Sequence, residues 1–201
     1  STAQISIKLT GVGAHGARPH LGVNAAEAAV LVTNAINTVK ANPSINHSIK
    51  VTKINTGIGA ANVIPDDANM HVDVRCTDNN EMKIILEKLS IAIEFSAKAT
   101  GADVEYEIKL CPGAEYAEEL IESSAEAIKE VLGEEGLIKN LYTSGSEDFH
   151  FYTKRLRCKA AYLGLGSDLK PGLHHKDMVF NRDAMFFGTD ILMRIINKRL
   201  T

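Results

Sequence analysis

The sequence predicts an α+β chain of two unequal parts, a split βαββαβ unit over residues 1–112 and a more helical remainder over 113–201. Three observations predict it. Period-two and helical apolar patterns alternate in β-α-β-β-α-β order up to residue 110, Cys111-Pro112-Gly113 interrupts them, and the residues beyond carry helices with very little strand.

In the first strand, Gln4 to Leu9 puts Ile5, Ile7 and Leu9 on one face, the signature of a half-buried strand. A Gly-rich turn follows. Ala25, Ala28, Val32, Ala35, Ile36 and Val39 then recur at helical spacing until Asn42-Pro43 closes the segment. Ile49 and Val51 begin a second strand, and Met70, Val72, Val74 and Cys76 mark one face of a third, with Pro65-Asp66-Asp67 turning between them. These two predict a long-looped hairpin. Met82, Ile85, Leu86, Leu89, Ile93 and Ala97 give a second helix, and Val104, Tyr106, Ile108 and Leu110 a fourth strand. The order is that of the ferredoxin-like unit, an antiparallel sheet with both helices on one face.

Beyond the break, Leu120, Ile121, Ala125, Ile128, Val131 and Leu132 predict a helix turning at Gly133, with a helix start at Ser146, a strand from Ala160 to Leu165, and a closing helix from about Arg182 to Lys198. That is too little sheet to cover the helices, so the second part is expected to need more chain.

Lys and Arg total 22 against 25 Asp and Glu, a net charge of -3, which offers no basic surface for nucleic acid or an anionic membrane. The longest apolar runs, such as Ala25 to Val32, are far short of the roughly 20 residues a membrane helix needs. Cys76, Cys111 and Cys158 are odd in number and contain no CxxC pair, arguing against a disulfide framework or a cysteine zinc site. A soluble protein of a reducing cytoplasm is the expectation.

Gly11-Val12-Gly13-Ala14-His15-Gly16 spells GxGxxG, yet Arg18-Pro19-His20 intervenes before the helix and no carboxylate stands near position 36, so a dinucleotide site is not expected. His15 lies among Gly and Ala and should be accessible, either as an inert loop histidine or as a donor near neutral pH. With the apolar set of the third strand facing the helices, His71, Asp73 and Arg75 fall on the opposite face. Arg75 there offers a planar fork for a carboxylate, or forms a solvated pair with Asp73. Asn62 offers an amide donor or a residue tolerant of a left-handed turn. Ser144-Gly145-Ser146-Glu147-Asp148-Phe149 lacks the nucleophile elbow; Ser146 reads as a helix N-cap, with Glu147 and Asp148 able to face a cleft. Leu173-His174-His175, after Pro171-Gly172, places a histidine pair in a loop, but a catalytic zinc takes three protein ligands and no HExxH helix supplies the others.

Together these pieces resemble the family of dinuclear-metal aminoacylases, glutamate carboxypeptidases and desuccinylases, and within it the amidohydrolases acting on N-acyl amino acids. Four motifs carry the resemblance in order: Gly13 to Ala25 (GAHGARPHLGVNA), Asn62-Val63-Ile64-Pro65 with Asp73-Val74-Arg75, Gly145 to Phe149, and Leu173-His174-His175 with Phe180-Asn181. The sequence departs from the pattern at Lys176-Asp177-Met178, where Pro and an aromatic residue are often seen, and at Ala114-Glu115-Tyr116-Ala117.

The resemblance implies a lid or dimerisation domain over 1–112, followed by the C-terminal part of an α/β zinc-peptidase-like catalytic domain over 113–201, with the N-terminal part expected before residue 1. By that likeness His174 is the single metal ligand of this chain, and His15 is catalytic, reaching across a homodimer to stabilise the oxyanion. Asn62 and Arg75 hold the substrate carboxylate, and Glu147 joins them as a substrate-binding residue. Two divalent metal ions (zinc, manganese or cobalt) are implied for the intact enzyme and at most weak single-metal binding for this chain, which alone is expected to be inactive. The implied partner is a small N-acyl amino acid, with no nucleic acid and no membrane. The alternative is a non-enzymatic ferredoxin-like module for dimerisation or small-ligand binding.

Overall fold

The computed structural model describes residues 1–57, 59–139 and 147–200. They fall into two units, one of residues 1–114 with 147 and 148, the other of 115–139 and 149–200.

The first unit runs β1 (Thr2–Thr10), β2 (Ala14–His15), α1 (Ala25–Thr38), β3 (His47–Thr56), β4 (Val63–Ile64), β5 (Asp67–Cys76), α2 (Asn79–Thr100) and β6 (Asp103–Cys111). Four strands pair antiparallel in the order β3-β5-β1-β6. Alternation decides which face is dry. Ala3, Ile5, Ile7 and Leu9 of β1, with Ala68, Met70, Val72 and Val74 of β5, are buried beneath the helices, and the intervening Ser6, Lys8, Asn69 and His71 face away. The helices answer with Ala25, Ala28, Val32 and Ile36 from α1 and Met82, Ile85, Leu89, Ile93 and Ala97 from α2. Fully burying each Leu or Ile contributes about 1.5–3 kcal/mol, so this layer stabilises the unit.

Helix ends follow side-chain chemistry. Asn24 Oδ1 accepts the Ala26 and Glu27 amides, and Asp78 accepts that of Glu81, satisfying donors that a first turn leaves over. α2 stops at Gly101, whose φ of 80° suits glycine. Glu81 is buried and accepts the Asn42 amide at 2.8 Å, tying the loop after α1 to α2.

In the second unit α3 (Glu118–Leu132) and α4 (Ala184–Leu200) are joined by ion pairs: Lys198 to Glu130 at 2.7 Å and Glu126 at 3.2 Å, and Arg194 to Glu130 at 3.1 Å. His150 is buried among Tyr116, Phe149 and Tyr162. Along α4, Ala184 and Ile191 are buried, whereas Phe186 and Leu200 are 76% and 81% exposed.

Two expectations need correction. Ala160 to Leu165 is not a strand: among the described residues its one such backbone bond is Ala160 accepting the Ala117 amide, and its unit contains no described strand for it to pair with. The connection from the second to the third main strand is also not a plain loop, since it contributes β4 to a two-stranded ladder with β2, and two-residue strands carry no periodicity. The helix start expected at Ser146 lies outside the described residues. No helix among them is long and apolar enough to cross a membrane.

Candidate active-site loops and the sheet end opposite

His15 is positioned by that small ladder. Its residue pairs with Val63 and Ala14 pairs with Ile64, while the Gly16 amide donates to the Asn62 carbonyl at 2.7 Å. The first loop is folded back by reciprocal bonds between Val12 and Val23, both 2.9 Å. This fold needs glycine at its crossing: a Cβ on Gly11 would stand 2.1 Å from the Val23 carbonyl oxygen, and one on Gly22 would stand 2.7 Å from that of Val12.

The ladder sets His15 beside Asn62, with Nε2 and Nδ2 3.5 Å apart. On its other side the ring accepts the Ala17 amide at Nδ1, at 3.1 Å. An accepting Nδ1 leaves the proton of the neutral ring on Nε2, so Nε2–H is a donor. With the amide nitrogen of Asn62 turned to it, two donors lie side by side and can converge on one oxygen of a third group. Turned by half a rotation, the Asn62 amide instead accepts from Nε2 and fixes the ring. Both residues are exposed.

Arg75 lies elsewhere. It is at the C-terminal end of β5, opposite Thr2 of β1 and Ser48 of β3, and its Nε donates to Asp73 at 2.9 Å. The His15 and Asn62 loops sit at the other end, where the Gly11 amide bonds the Asp66 carbonyl just before β5 begins. From residue 67 to 75 a strand at about 3.3 Å per residue spans about 25 Å. Within one protomer, therefore, Asn62 and Arg75 do not grip the same carboxylate.

Glu147 is exposed and sits at the Arg75 end of the sheet: its carbonyl receives the Cys111 thiol at 3.6 Å, and Cys111 is paired to the same Thr2. His174, in the second unit, is exposed and holds a left-handed φ of 64°, a conformation that costs a non-glycine residue about 1 kcal/mol. Its loop is closed by reciprocal Lys170 and Val179 bonds of 2.9 and 2.8 Å, and His175 Nδ1 accepts the Asp177 amide at 3.1 Å. Among the described residues no three His, Cys, Asp or Glu gather as a metal cluster. An exposed imidazole is a suitable donor for a borderline divalent ion, so His174 fits as one ligand and no more. Sequence reasoning missed the Ala17 amide, which sets the His15 tautomer; a backbone group leaves no mark in residue identity.

Such a fold and loop pair define a class. Residues 1–100 match the peptidase dimerisation domain. This first part of the chain is a dimerisation domain of the M20 peptidase family. It is 29% identical to the hippurate hydrolase of Campylobacter jejuni, over 90% of this chain and 48% of that protein. It is also 29% identical to a p-aminobenzoyl-glutamate hydrolase homolog of Haemophilus influenzae, over 100% of this chain and 48% of that one. A solved dinuclear metal binding peptidase of the M20 family from Bacillus subtilis shares the fold at a TM-score of 0.72 and 18% identity, over 97% of this chain and 49% of that one. The chain spans about half the length of the curated relatives it matches.

Proposed function

We propose that this chain is the lid and the C-terminal part of the catalytic domain of a metal-dependent amidohydrolase that cleaves the amide bond of N-acyl amino acids. The observation that carries the reading is that His15, whose Nδ1 accepts the Ala17 amide, stands with Nε2 beside the Asn62 amide on loops joined by the β2–β4 ladder. That arrangement suits an amide oxygen gaining negative charge, and the activities for which the two relatives are named, hippurate and aminobenzoyl-glutamate hydrolysis, are of that kind.

In this reading His15 donates Nε2–H to the substrate carbonyl oxygen and stabilises it as charge develops. Asn62 supplies the second donor. Arg75 engages the free carboxylate, which selects acyl amino acids over plain amides. Because the His15 loop and Arg75 lie at opposite ends of β5, a span of about 25 Å, the two serve different active sites of a homodimer, each site taking His15 and Asn62 from one protomer and Arg75 from the other. Glu147 lines the Arg75 side. A pair of divalent ions, zinc, manganese or cobalt, would supply a polarised water for attack on the amide carbon, and His174 is the ligand this chain would bring.

The dimer is proposed to form through α1, where Val30 is 59% exposed, and through β3, an edge strand beneath it. The remaining ligands and general base are proposed to come from polypeptide outside this chain; exposed Phe186 and Leu200 are consistent with a surface awaiting such a partner. The protein is proposed to work in the cytoplasm.

Assaying N-benzoylglycine hydrolysis with added zinc, manganese or cobalt tests the reading. The isolated chain is expected to show no turnover, and a longer polypeptide restoring the other half to show it. Robust turnover by the 201-residue chain would sink the proposal that its centre is incomplete. The self-contained core of the first unit is also what a stand-alone dimerisation module would have, and a restored full-length protein that binds acyl amino acids without cleaving them would favour that module.

A further inference from the structure

We infer that Asp73 is a positioning residue for Arg75, presenting its guanidinium to a ligand carboxylate; this rests on the reading of Arg75 as the carboxylate anchor. The two residues stand on the same face of β5 two positions apart, with Arg75 Nε donating to Asp73 Oδ2 at 2.9 Å. Stability does not explain the pair. Its side chains are 48% and 29% exposed, and ion pairs of that exposure contribute little to folding.

Orientation does explain it. An arginine side chain carries large rotamer freedom, much of which is lost when it must meet a planar carboxylate. Holding Nε at one point fixes the plane of the fork and its last torsion, so less order remains to be imposed when a ligand arrives. The surroundings suit that task. Across the sheet Arg75 is flanked by Thr2 and Ser48, both short. Asp73 is flanked by Gln4 and Lys50. A carboxylate beside the anchor also discriminates: a ligand must bring its own negative charge at the correct distance to gain from Arg75, and a misplaced anion meets repulsion.

The test uses the 201-residue chain with ¹⁵N-labelled arginine side chains, titrated with N-benzoylglycine and, separately, with its uncharged primary amide. The Arg75 Nε signal, assigned by its loss in Arg75→Lys, is expected to move with the acid and not with the amide. Asp73→Ala is expected to weaken the acid's binding about tenfold and to speed exchange of the Nε proton, and Asp73→Asn, which keeps an accepting oxygen, to recover part of both. Unchanged affinity in Asp73→Ala, with the wild-type response intact, overturns the role of Asp73 alone. Failure of the wild-type Arg75 signal to respond to the acid overturns the anchor reading and this inference with it. Coincident spectra outside β5 establish that the variants remain folded.

Discussion

The chemistry proposed for His15 depends on a backbone amide. The Ala17 N–H occupies Nδ1, so the opposite nitrogen is left protonated and turned to Asn62. In the full-length enzyme, His15→Ala is expected to lower kcat by about 10²–10³, the cost typical of losing one preorganised oxyanion donor, with a smaller change in KM. Steady-state kinetics on N-benzoylglycine measures it, and an unaltered kcat would remove His15 from the reaction. His15→Gln, which keeps an N–H but has no ring to accept the Ala17 amide, is expected to recover little. These roles could be read in the sequence only through motif likeness, since an accessible histidine among glycines is equally consistent with an idle loop.

At the scale of elements, the loop crossing depends on Gly22, where an added Cβ would lie 2.7 Å from the Val12 oxygen and 2.8 Å from the Ala14 Cβ. Gly22→Ala is therefore expected to destabilise the first unit by about 1–3 kcal/mol, seen as a lower Tm, and to pull His15 away from Asn62. The α3 and α4 pairing makes a different prediction. Lys198 first, then Arg194, hold the Glu130 carboxyl below the ordinary glutamate range. A depressed folded value means that the stabilisation is present above the ordinary value and is lost as pH falls through the lowered one. Glu130→Gln is expected to flatten that acid limb in thermal melts across pH, and an unchanged limb would show the pairs to be idle.

The main strands and helices were legible because each runs long enough for its apolar period to repeat: β5 alternates through ten residues, and α2 holds its stripe through twenty-two. The β2–β4 ladder was not, for two residues on each side carry no pattern and its partners are 48 positions apart in sequence, as His15 and Val63 are. Ala160 to Leu165 misled for the converse reason: an apolar run reads as a strand, but only a free sheet edge makes it one. Of the candidate site, the identities of His15, Asn62, Arg75, Glu147 and His174 were visible, whereas their division between two ends of a sheet and a separate unit required the register of β5.

For the whole molecule, the expectation is a dimer built on α1 and β3. Val30→Asp, at an exposed position of α1, is expected to shift sedimentation from dimer to monomer while the circular dichroism of the unit stays the same. A persistent dimer would move the interface to another edge. The length of β5 has a consequence that kinetics on a single variant does not reveal. Prepare the full-length enzyme separately as His15→Ala and as Arg75→Ala, each expected to be nearly dead, then let the protomers exchange. In a mixed pair one cleft inherits both lesions and the other neither, so roughly a quarter of all clefts in an equal mixture regain every group they need. Two inert preparations would together revive the reaction, as crossed cables do when each end is wired to the far socket.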